Sequence, residues 1–192
     1  KLDRIERDLD RARTAAAASA DSLGAQFDRV IELLRRRAHL DDWELTDSGQ
    51  RLARLYHESD LFLVEVLEDG LFDDLTAPEV VALASTFVYE ERRSTGGEAD
   101  PWYPSNDMRR RFRHVLARHR NLNDDENDLR LRLTREPHPG FMAVAYGWAS
   151  GGGLDDVLAD EEFTAGDFVR TAKQLIDLLR QLAKLAPEAK TA

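Results

Sequence analysis

The stretch AYGWASGGGLDDVL, residues 145–158, raises the first chemical question. A glycine-rich loop ahead of a helix can cradle phosphate, but a Walker-type loop needs G-x-x-x-x-G-K-[ST], with a lysine to meet the phosphates. Here Gly151–Gly153 run into Leu154, Asp155 and Asp156. Two carboxylates at a helix N-terminus satisfy its dipole and repel an anion. The glycines are therefore expected to end one helix and open the next. A second candidate is MRRRFRHVLARHR, residues 108–120, the densest cationic run in the chain. Arg110, Arg113 and Arg118 fall off its apolar face and are candidate phosphate contacts. The competing expectation is neutralisation by Asp124, Asp125, Glu126 and Asp128 just downstream. The five histidines (His39, His57, His114, His119 and His138) show no H-x-x-x-H spacing, so no metal site is expected. No G-x-S-x-G motif occurs either, and no catalytic residue is assigned.

The net charge is −10, from 27 basic and 37 acidic side chains in 192 residues. Taken alone, that opposes a nucleic-acid module. Its distribution is uneven, however, and only Lys1, Lys173, Lys184 and Lys190 among the cations are lysines. Arginine, the rest, is the better phosphate fork. With no cysteine, disulfides, thiolate zinc sites and cysteine nucleophiles are excluded, and a reducing cytoplasm is the expected setting. No apolar run approaches ~20 residues, so no membrane span is expected. The charged N-terminus KLDRIERDLDRAR does not read as a signal peptide.

The elements that must position these groups read as helices. Residues 1–21 form a charged helical tether with an apolar seam at Leu2, Ile5 and Leu9. Phe27, Val30, Ile31 and Leu34 then share one helical face, which Arg35–Arg37 end. Two short extended segments, 39–40 and 43–45, precede a helix capped by Thr46 or Asp47. Together, residues 22–56 read as a winged-helix-like element. Residues 57–192 read as a helical bundle, making the fold class all-α. Leu61, Val64, Leu67 and Leu71 continue a buried stripe, and Thr76 with Glu79 forms a capping box. Val80, Val81, Ala84, Phe87 and Val88 make the next core face. The polar loop at 92–107 is expected to be mobile. Met108, Phe112, Val115 and Leu116 form a further face, and Phe141, Val144, Ala145 and Trp148 another.

The most regular helix is the last, capped by Thr164 with Asp167. Its expected seam is Phe168, Ala172, Leu175, Leu179, Leu182 and Ala186. Arg170, Lys173, Gln174, Asp177, Arg180, Gln181 and Lys184 fall on the opposite arc. As a merely solvated face, that arc would be laced by Lys173–Asp177 and Asp177–Arg180 pairs.

Two blocks then resemble a known family. LTDSGQRLARLYHESDLFLVEVLEDGLFDDLTAPEVVALASTFVYEERR is similar to the start of the DSHCT domain, the C-terminal domain of exosome-helper DExH RNA helicases in its bacterial form. The matching positions are Thr46, Gly49, Ser59, Asp60, Leu61, Gly70, Phe72, Asp74, Leu75, Thr76, Glu79 and Phe87–Glu90, with Pro78 one place later than usual. GFMAVAYGWASGGGLDDVLADEEFTAGDFVRTAKQLIDLLRQLA resembles the family's second block. The resemblance covers roughly residues 22–186, with weaker agreement at 94–107 and 121–138 and no counterpart to the family's last helix. It implies an accessory domain that braces a helicase core of the same polypeptide and touches single-stranded RNA through a ratchet helix. The positions implied are Arg170, Lys173, Gln174, Asp177 and Arg180. ATP and Mg²⁺ would belong to the helicase core, since this chain holds no Walker A or DExH motif and should not hydrolyse ATP alone. An RNA-degrading nuclease is a further implied partner. The alternative is a protein–protein scaffold without nucleic-acid contact, which the acidic charge favours.

Overall fold

The structure is a computed structural model describing residues 22–90, 101–159 and 163–185. The tether at 1–21, most of the expected mobile loop and seam residue Ala186 lie outside the described residues. The chain folds as an all-α bundle with one small hairpin. Helix α1 covers 22–36, strands β1 (Leu40–Asp41) and β2 (Glu44–Leu45) pair antiparallel, and α2 spans Asp47–Leu52. Helices α3 (Asp60–Glu68), α4 (Ala77–Val88) and α5 (Asn106–Asp128) follow. A 3-10 turn (Pro139–Phe141) leads into α6 (Met142–Ala149), α7 (Leu154–Val157) and α8 (Ala165–Leu185).

Local chemistry starts and stops these helices as the sequence suggests. Thr46 caps α2, its side chain accepting the Gly49 N–H at 3.1 Å. Gly49 faces the hairpin at contact distance: a Cβ there would meet the His39 carbonyl oxygen at 2.0 Å. At α4 the Thr76–Glu79 capping box is formed, with Glu79 accepting the Thr76 N–H at 2.9 Å. Thr164 caps α8 by accepting the Asp167 N–H at 3.1 Å. The triple glycine is a helix joint. Gly151 takes φ +93°, its N–H bonds Trp148 O, and the Gly152 N–H bonds Gly147 O, which closes α6. Gly153 then opens α7.

The core is built around α4. Ala82 through Val88 are all buried, so the second half of this helix is enclosed on every side rather than on the single face its spacing suggested. Val80 and Val81 are only partly buried. Ser85 and Thr86 satisfy their hydroxyls on the carbonyls of Ala82 (2.7 Å) and Leu83 (2.8 Å), which lets two polar residues sit in the centre. Helices α6 and α8 pack on α4, as does α5. Trp148, expected in the core, is half-buried at its edge, its ring perpendicular to Phe168 with centroids 5.6 Å apart.

The seam of α8 is shifted from the expected one. Phe168, Ala172, Leu175 and Leu182 are buried as anticipated, but Thr171, Leu178 and Leu185 join them, and Leu179 is only partly buried. The helix uses the 168–171–175–178–182–185 phase of its heptad.

Candidate nucleic-acid interface

The exposed side of α8 presents Arg170, Lys173, Gln174, Asp177 and Arg180 together, every one solvent-exposed. At ~100° per residue they span an arc of about 120° opposite the apolar seam. Three cations face one carboxylate on it. Arg170 bonds Asp167 at 3.3 Å, one turn back. Asp177 accepts from Gln181 Nε2 at 2.9 Å, so the Lys173–Asp177 and Asp177–Arg180 pairs of a laced surface are not formed. Lys173, Gln174 and Arg180 carry no hydrogen bond or ion pair among the described residues. Unpaired cations on a rigid helix are free to meet an anion without first breaking an internal bond.

The arginines of α5 are organised differently from expectation. The downstream acidic run does not neutralise them. Asp125 bonds Arg37, and Glu126 accepts the Thr134 N–H (2.7 Å) and hydroxyl (2.6 Å). Arg110 pairs instead with Asp107 at 2.8 Å, as does Arg111 at 2.7 Å. Arg118 forms a two-bond fork with Asp69, the residue that ends α3, which raises its guanidinium pKa further. Of the three candidate phosphate contacts, Arg113 alone is exposed without an ion pair among the described residues. Arg120, seven residues on and not singled out from the sequence, is exposed and unpaired in the same sense. The two share one face of α5.

Two long-range arginine sites escaped the sequence reading. Arg37, which follows α1, donates to both carboxylate oxygens of Glu65 on α3, with the Nη2–Oε2 bond at 2.6 Å. It also reaches Asp125 (2.5 Å) and Asn121 (3.2 Å) on α5. Burial acts to raise the Glu65 carboxyl, but the bonds and charge of Arg37, with His39 beside it, outweigh that and hold it below the usual carboxylate range. Arg135 donates to the carbonyls of Tyr89 (2.8 Å) and Phe87 (2.7 Å) and so caps the end of α4. A third link joins the loop after α2 to α8: Gln181 bonds the backbone of Tyr56. None has a signal in local spacing, since each joins residues dozens of positions apart. Among the described residues no group of three His, Asp or Glu is placed to hold a metal ion. Likewise, no helix among them is long and apolar enough to cross a membrane.

The comparisons with known proteins agree with these two motif blocks. The model of the DSHCT (NUC185) domain matches residues 42–191. The "Probable helicase HelY" of Mycobacterium leprae is 39% identical over 198 residues, covering 96% of this chain and 22% of that protein. Its namesake in Mycobacterium tuberculosis (strain ATCC 25618 / H37Rv) is 36% identical over the same shares. The "Exosome RNA helicase MTR4" of Homo sapiens is 29% identical over 94% of this chain and 17% of that protein. The chain thus spans about a fifth of the length of the curated relatives it matches.

Proposed function

The chain belongs to the DSHCT domain family, and on that premise we propose that it works as the accessory domain of an ATP-dependent DExH RNA helicase in RNA processing or decay. Its bundle braces the helicase core, and the exposed arc of α8 contacts single-stranded RNA as a ratchet helix. In this reading the hairpin-bearing stretch 22–56 is the winged-helix-like part and the remainder the bundle. ATP and Mg²⁺ act in the helicase core, a nuclease takes the product strand, and the setting is the cytoplasm.

The observation that carries the RNA contact is the arc itself. Arg170, Lys173, Gln174, Asp177 and Arg180 are all exposed on one side of a helix whose other side is fixed in the core, and Lys173 and Arg180 have no ion pair among the described residues. The mixed charge suits a strand that must slide, since a purely cationic wall would hold phosphate too tightly to release it at each step. Arg113 and Arg120 on α5 offer a second phosphate-contacting stripe. The test is the Arg170→Ala/Lys173→Ala double variant in the helicase polypeptide that carries this domain. Unwinding should slow, and the slope of log affinity against log salt should flatten by up to about 1.4, from ~0.7 per lost phosphate contact on a single strand. Unwinding rate and salt slope both unchanged would return this surface to the scaffold reading.

A further inference from the structure

Tyr56 is the most exposed large apolar side chain among the described residues, at 82%. A singly exposed tyrosine is ordinary. The backbone beneath this one is not left loose, however. Leu55 before it is buried at 3% exposure. Gln181 of α8 then holds Tyr56 from the other side: its Oε1 accepts the Tyr56 N–H at 2.7 Å, and its Nε2 donates to the Tyr56 carbonyl at 3.4 Å. The same Nε2 donates to Asp177 at 2.9 Å, which orients the amide. The ring itself stacks on no other aromatic ring among the described residues.

The position of Gln181 gives this clamp its meaning. At ~100° per residue it projects within the arc of Arg170, Lys173, Gln174, Asp177 and Arg180. It lies about 16 Å along the axis from Arg170, at 1.5 Å per residue. The connection between α2 and α3 therefore meets α8 at the C-terminal end of that arc. Arg54, two residues before the tyrosine, and Arg180, beside Gln181, are both exposed with no ion pair among the described residues. An aromatic ring on a fixed backbone, with one exposed arginine two residues before it and another next to the glutamine that holds it, is a combination suited to single strands: a face for the base and charge for the neighbouring phosphates.

We propose that Tyr56 is a base-stacking residue, on which one base of single-stranded RNA stacks at the end of the α8 arc, with Arg54 and Arg180 meeting the adjacent phosphates. This rests on the RNA-facing reading of α8. The test uses the helicase polypeptide carrying this domain, a labelled 12-nucleotide oligouridine as probe, and the variants Tyr56→Ala, Tyr56→Phe and Tyr56→Trp. Tyr56→Ala should weaken binding roughly 5- to 150-fold, the range for loss of one stacked base. The salt slope should stay unchanged, because stacking releases no counterions. Tyr56→Phe and Tyr56→Trp should keep wild-type affinity, and ultraviolet irradiation of the wild-type complex should cross-link uridine to the peptide containing Tyr56. Affinity of Tyr56→Ala within twofold of wild type overturns the proposal, as does loss of binding in Tyr56→Phe or absence of the cross-link. An intact RNA affinity with weakened ATPase in the absence of RNA also overturns it, assigning the ring to the helicase core instead. If Arg170→Ala/Lys173→Ala alters the salt slope while Tyr56→Ala is silent, only the stacking proposal fails. Silence of both sets fails the RNA-facing reading of α8 itself.

Discussion

Removing Arg37 should be among the most damaging single changes in the chain. Its side chain is only 6% exposed, and Glu65 beside it only 9%. Arg37→Ala leaves the Glu65 carboxylate in the interior with only the His39 imidazole, 3.7 Å away, beside it. Breaking one side of a buried pair costs about 3–5 kcal/mol, because the stranded charge has lost both water and partner. The arm to Asp125 adds little, about 0–1 kcal/mol, since Asp125 is 32% exposed and can rehydrate. A domain of this size shifts its melting temperature by about 2–4 °C per kcal/mol. Arg37→Ala should therefore melt roughly 6–20 °C lower at pH 7, followed by circular dichroism at 222 nm. Arg37→Lys should fall between, keeping the charge but not the two-bond fork to Glu65. The double variant Arg37→Met/Glu65→Leu should regain most of the loss, because no charge is then left buried. A melting temperature for Arg37→Ala within about 2 °C of wild type, or a double variant no better than the single, would refute this account of the junction between α1, α3 and α5.

Acid should act through the same site: the folded-state pKa of Glu65 is depressed, so its stabilisation is present above the ordinary carboxylate pKa and lost as pH falls through the lower folded value. Melting temperature followed from pH 6 to pH 3 should drop more steeply for wild type than for Glu65→Gln, and parallel curves would exclude Glu65 as the titrating group. Gly49→Ala should destabilise by at least the ~1–3 kcal/mol typical of overpacking, because the new Cβ would lie 2.0 Å from a backbone oxygen that cannot swing aside; unchanged chemical denaturation would contradict the close approach of α2 to the hairpin. Leu178→Ala should cost about 2–5 kcal/mol, as for a fully buried leucine, and Leu179→Ala clearly less. Equal denaturation midpoints for the pair would mean that α8 is seated in the other phase.

What could be read from the sequence is what physics confines to a few residues. Caps at Thr46, Thr76 and Thr164 are hydrogen bonds between neighbours three apart, so residue type and spacing determine them. The glycine joint follows from the αL requirement at a helix end, which Gly151 meets. The α8 arc was legible for a subtler reason. Both heptad phases share Phe168, Leu175 and Leu182, and the polar Thr171 pointed to the wrong one of the two. A shift between Leu178 and Leu179 rotates the seam by a fraction of a turn, and Arg170, Lys173, Gln174, Asp177 and Arg180 stay on the far side either way. Arg110 and Arg111 pair within one turn, with Asp107, but the partner of Arg118 was illegible, and chain proximity misled. Asp125 is seven residues beyond Arg118, about 10 Å along a rigid axis, whereas Asp69 comes alongside it from another helix. Distance along a helix is not distance in space, so ion pairs beyond one turn belong to tertiary structure. The Gln181–Tyr56 clamp obeys the same rule across 125 positions. A helix face can therefore be found from its own period, while whatever another segment lays across that face has to be found by folding the chain.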